Sequence, residues 1–190
     1  PRSLNDATDE KGNIHYGYNT HLGIDVTKEI RRLREALVDE GHLRTNQRML
    51  VLDAGVSHES ILQELGEHLD PVHFQVIGAT ILARNAVQPA QGNMIQSNIE
   101  SLPFSDESVH FVMSVTGGKT LFDPLKGLEE VYRVLKVGGE GIIELASEDD
   151  IKFIDGQGHH RPFSARRLGI YLRQLGFDIS VNVRRFAPAM

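Results

Sequence analysis

Cysteine is absent from this chain of 190 residues. That removes any disulfide framework, thiolate zinc site or cysteine nucleophile, and makes a cytoplasmic setting the expectation. Positive charge is also scarce. Twenty Lys and Arg stand against 26 Asp and Glu, for a net charge of −6. The broad basic footprint needed to hold phosphate backbones is missing, so nucleic acid is not a favoured partner. No apolar run approaches the ~20 residues required to span a bilayer, and no membrane role is expected. The opening "PRSLNDATDEKGN" is polar and lacks the apolar core of a signal peptide. What is present, 40% hydrophobic and 24% charged residues, suits an ordinary globular chain. Residues 1–22 read as an N-terminal arm and 23–190 as one domain, long enough to bury roughly 70% of its unfolded surface.

The periodicities alternate. In "DVTKEIRRLREALVDE" (25–40), Val26, Ile30, Leu33 and Leu37 recur at helical spacing, Arg31 and Glu35 face solvent, and Gly41 is a stop. "RMLVLD" (48–53) is a short continuous apolar run, as a strand buried on both faces requires. The spacing then predicts a helix over 58–68, a strand over 74–79, a short helix ending near Pro89, and strands over 94–98 and 109–115. Asp123 and Pro124 open a helix over 123–135 that Gly138 stops. A strand over 139–146, a helix over 164–176 and a last strand from 178 complete the order. Strands alternating with helices imply an α/β fold, a doubly wound and mostly parallel sheet.

Certain motifs carry a resemblance. Leu102-Pro103-Phe104 is followed by a strand and then by Tyr132-Arg133-Val134-Leu135-Lys136, with Gly138-Gly139 shortly after. Together with the element order, these residues resemble the class I S-adenosylmethionine (SAM)-dependent methyltransferases. The likeness is to the small-molecule branch that includes the ubiquinone and menaquinone biosynthesis enzymes. It runs from about Met49 to Phe177 and implies a Rossmann-like fold, here shortened at the C-terminus, with SAM as cofactor.

The resemblance also assigns cofactor positions, and the chain departs from several. The family's first strand ends Asp-x-Gly-x-Gly-x-Gly; here the run is Asp53-Ala54-Gly55-Val56-Ser57-His58-Glu59. Asp53 and Gly55 match. Ser57 replaces a glycine and is able to cap the next helix. Glu59 puts a carboxylate near the positive end of that helix. Thr80 stands where an acid accepts both ribose hydroxyls, and Asn98 where an acid meets the adenine amino group, with the Ile99 N–H beside it. His110 replaces an Asp at the start of the fourth strand. The reading these departures support is a methyltransferase-like protein with SAM binding weakened or lost, acting as a regulatory or assembly module on a protein or small molecule. The alternative is an active SAM-dependent methyltransferase acting on a small molecule.

Ligands of open α/β sheets sit beyond the carboxyl ends of the strands, so Thr116 and Lys119 become candidate substrate-rim residues. Gly118-Lys119-Thr120 is not a phosphate-binding loop, because Met113 occupies the position of its first glycine. His159 and His160 are further substrate candidates, and Tyr16 in the arm is a candidate lid residue. No metal-ligand motif is apparent, and no catalytic residue is assigned.

Overall fold

A computed structural model describes residues 25–56, 59–81, 93–114, 123–145 and 164–179. Helix α1 (Val26–Asp39) begins where the Asp25 carboxylate accepts the Lys28 N–H at 2.9 Å. Its apolar stripe Val26, Ile30, Leu33 and Leu37 is buried to within 2%, and Gly41 ends it with φ +77°. Strand β1 (Met49–Ala54) is followed by α2 (Glu59–His68) and β2 (Phe74–Thr80). After β3 (Met94–Gln96) and β4 (Val109–Ser114) come α3 (Pro124–Val134), β5 (Leu135–Ile143) and α4 (Ala165–Leu175).

The five strands form one sheet in the order β3-β2-β1-β4-β5, and every pairing is parallel. Parallel strands need crossovers, and the helices that supply them cover both faces. On one face Ile30, Leu33 and Leu37 of α1, Leu65 of α2 and Leu69 just after it pack against Val51, Phe111 and Met113. On the other, Val131 and Val134 of α3 meet Leu52, Ala79 and Val112. Side chains alternate between the two cores because strand residues do. The predicted doubly wound α/β architecture is thus the observed one. Each such aliphatic side chain contributes ~1.5–3 kcal/mol on burial, which makes β1 and β4 the centre of the fold in energy as well as in order.

Two expectations fail at the fourth crossover. Gly138 does not stop the helix, and β5 does not wait until residue 139. Leu135 leaves α3 directly in an extended conformation, with φ −69° and ψ 133°, and already pairs with Val109. The register then slips, Phe111 pairing with Glu140, so Gly138 (φ +77°) and Gly139 lie inside an irregular strand. A Cβ on Gly139 would sit 2.9 Å from the carbonyl oxygens of both His110 and Lys136. Chain approach, rather than helix termination, explains the glycine there. The helices expected over 58–68 and 164–176 are α2 and α4 within a residue, Gly176 closing α4 at φ +107°. Asp178 and Ile179 are not in a strand. The rest of the expected last strand and the short helix ending near Pro89 lie outside the described residues.

Candidate functional site

The strand order reverses direction between β1 and β4, and a sheet of this kind opens its ligand crevice there, beyond the carboxyl ends. Asp53, at the end of β1, is 3% exposed and stands in register with Gly78 of β2 and Met113 of β4. Gly55 then turns the chain with φ +91°, a conformation that disfavours a side chain. Its N–H and that of Val56 both donate to the Ala79 carbonyl, at 2.7 and 3.0 Å. Two main-chain donors at the turn are therefore used within the sheet. Val56 is buried with Met94, and Leu62 packs on them. This cluster closes over Gly78, where a Cβ would lie 2.3 Å from Leu62 Cδ1 and 2.4 Å from Met94 Sδ.

Thr80 ends β2 and is 5% exposed; its carbonyl accepts the Ser97 N–H at 2.8 Å. Just past β3, Asn98 turns its Oδ1 onto the Glu100 N–H at 3.0 Å, and its backbone bridges Ser101. That is an Asx-type local turn. Ile99 is 5% exposed and belongs to the core that also holds Ala54 and Ala79. Asp53, Gly55, Thr80, Asn98 and Ile99 thus occupy the carboxyl ends of three neighbouring strands, as the sequence indicates. Glu59 opens α2. Ser57, Tyr16, Thr116, Lys119, His159 and His160 fall outside the described residues.

His110 is not part of this crevice. It is 4% exposed, and its Nδ1 accepts the Leu50 N–H at 3.0 Å. Its Nε2 is buried without a partner among the described residues. Desolvation, with the nearby Lys136 charge, pushes its pKa down to about 4, so the ring is neutral at pH 7. The family's aspartate position has become a strand–strand tie.

Sequence reasoning missed Ser114, the last residue of β4, which is fully buried with an Oγ lacking a partner among the described residues. Its carbonyl accepts the Glu144 N–H at 2.9 Å. A polar residue closing a wholly buried strand was the available signal. Also missed was the structural role of Arg133. Its guanidinium reaches the carbonyls of Phe104 (2.8 Å) and Leu102 (3.0 Å) and the carboxylates of Asp106 (2.7 Å) and Glu130 (2.8 Å). Glu130 in turn accepts the Leu102 N–H at 2.8 Å. The arginine beside it holds the Glu130 carboxyl below the usual range. The Leu-Pro-Phe loop is pinned to α3 by these contacts.

A buried parallel sheet with a glycine turn at its switch point defines the doubly wound, Rossmann-like class of α/β protein. Comparison with known proteins makes this specific. The methyltransferase domain family matches residues 52–143, and the chain is similar to the class I SAM-dependent methyltransferases. An uncharacterized methyltransferase of Bacillus subtilis, YdaC, is 24% identical over 74% of this chain and 78% of its own length. The ubiquinone/menaquinone biosynthesis C-methyltransferase UbiE of Stenotrophomonas maltophilia is 44% identical, over 28% of this chain and 21% of its own. Among solved structures, a chain from the complex of the Haloferax volcanii Trm112 methyltransferase activator with a methyltransferase superposes with a TM-score of 0.56. It is 20% identical, over 79% of this chain and 74% of that one. No helix among the described residues is long and apolar enough to cross a membrane.

Proposed function

We propose that this protein is a methyltransferase-fold module whose SAM site is eroded, and that it acts by binding a partner or small molecule rather than by methyl transfer. The observation that carries the reading is the state of positions 80 and 98. Where the family's pattern implies acids, this chain places a buried neutral Thr80 and an Asn98 whose Oδ1 is turned onto Glu100 N–H. A hydroxyl offers one weak acceptor where a carboxylate would offer two charged ones. Hydrogen bonds to charged groups are worth ~1.5–3 kcal/mol each, so two such losses weaken binding by a hundredfold or more. The main-chain N–H groups of residues 55 and 56 are already given to Ala79, and the sequence adds Glu59 to the turn that should receive the methionine end. The residues present do not fit SAM as the family's residues do, and no chemical step is assigned to it. A protein partner accords with the solved neighbour, in which a methyltransferase is found with an activator.

The second reading, an active methyltransferase on a small molecule, is favoured by one feature: Gly55 keeps the left-handed turn. Isothermal calorimetry with S-adenosylhomocysteine separates the two. We expect no saturable heat with the wild type and measurable binding with Glu59→Gly. Tight binding by the unaltered protein would establish the second reading instead.

A further inference from the structure

At the opposite end of the sheet, below the amino ends of β1 and β2, Arg31, Arg34, Glu35, His68, Asp70, His73 and Phe74 line a cleft of about 320 Å³. Arg31 and Arg34 stand three residues apart on α1 and so share a face. Arg31 donates to the carbonyl of His68, the last residue of α2. Arg34 donates from Nη2 to the Thr45 carbonyl at 2.7 Å, and its guanidinium lies 5.9 Å from the centre of the Phe74 ring. These anchors orient both guanidiniums without neutralising them. Neither has a carboxylate partner among the described residues, and Arg34 Nε is buried with no acceptor there.

The other described arginines that bridge elements behave differently. Arg32 lies between Glu29 (2.8 Å) and Glu140 (2.5 Å), and Arg133 between Glu130 and Asp106. Of the two acids in the cleft, Asp70 is taken up by the His73 Nδ1 at 2.6 Å and the Val72 N–H at 2.8 Å. Two carboxylates thus balance two guanidiniums in formal charge, but neither carboxylate is paired with an arginine of the cleft among the described residues. A pre-oriented pair of planar guanidiniums whose remaining N–H groups are not given to a carboxylate matches an oxyanion, and Phe74 supplies an apolar floor.

We propose that this cleft is a binding site for a small oxyanion, a phosphate or carboxylate group, separate from the crevice at the carboxyl ends. The site does not depend on whether SAM binds at the other end of the sheet.

The test is a ¹H–¹⁵N NMR titration of the full chain with inorganic phosphate and, separately, succinate, at fixed ionic strength against chloride. Saturable shifts at residues 31, 34, 68 and 73 are expected with at least one anion, and the preferred one identifies the source class. Arg31→Gln should weaken binding roughly tenfold, as the loss of one charge-assisted contact implies. Glu35→Gln should tighten it, a change that a purely structural arginine pair would not produce. Shifts that stay linear, that chloride reproduces, or that Arg31→Gln leaves unchanged overturn the proposal. Thermal melts of both variants verify that each is folded.

Discussion

Residues 97–108 leave β3 at the carboxyl edge of the sheet and return to the amino end of β4, whereas 53–56 and 80 stay at the carboxyl edge. The two regions follow the family's pattern at different points. The loop carries the family's Leu102-Pro103-Phe104 although Asn98 departs from its pattern, and the contacts show what those three residues do. Arg133 and Glu130 hold it to α3 through carbonyls, an N–H and two carboxylates, while Glu100 accepts the Asp123 N–H at the start of the same helix, at 2.9 Å. The strand ends retain Asp53 and Gly55 but lose the acid at 80 and the glycines that follow. The most recognisable motif in this chain is therefore a fold-holding one. Its survival speaks for architecture and leaves chemistry to the less recognisable turn.

Cutting the clamp gives the largest expected effect. Arg133→Ala leaves the Glu130 carboxylate, partly buried, without its cation, and frees the loop at several points. We expect a loss of about 3 kcal/mol, read from denaturant unfolding, given ~1.5–3 kcal/mol for each bond to a charged group and the partial exposure of the pair. If stability holds while a ligand response changes, the division of labour drawn here is wrong. Gly139→Ala comes next. Its new methyl would crowd two backbone carbonyls, and overpacking of this kind costs ~1–3 kcal/mol. A melt unchanged from wild type would mean the β4–β5 slip is not fixed by this contact.

The smallest effect concerns pH. Folding holds His110 at about 4, below the 6.5 of a free histidine. Between these values the unfolded chain takes up a proton that the folded chain refuses. His110 therefore stabilises fully above pH 6.5, and its contribution is lost as pH falls toward 4. The unfolding midpoint should drop across that window, and His110→Gln should flatten the drop. An equal slope in the variant would assign the effect to other groups.

How much of this could be read from residues alone depended on range. α1, β1 and β4 were legible because their signals are local: Asp25 before a 3.6-residue apolar rhythm, and unbroken apolar runs. The start of β5 was not. Leu135-Lys136-Val137 continues a helical rhythm and a glycine pair looks like a stop, while the strand pairing that overrides both comes from Val109, far back in the chain. The turn at the carboxyl end of β1 was legible at Asp53 and Gly55 because an acid and a glycine follow an apolar run. The partnering of Asn98 with Glu100 depends on a turn that spacing does not specify. The arginine cleft was illegible for the same reason as β5. Arg31 meets His68 across 37 residues, and nothing in "IRRLRE" distinguishes the arginines that find carboxylates from those that find carbonyls.

The order β3-β2-β1-β4-β5 has a consequence for synthesis. As the chain leaves the ribosome, β1, β2 and β3 can assemble first, but the far side of β1 has no neighbour until Val109 emerges. For that interval "MLVLDA", buried in the finished protein, is a bare apolar margin able to pair with another chain. Arg32 of the first helix cannot meet Glu140 until β5 follows. The growing chain is thus open to adhesion at β1 until the arrival of β4 ends that exposure.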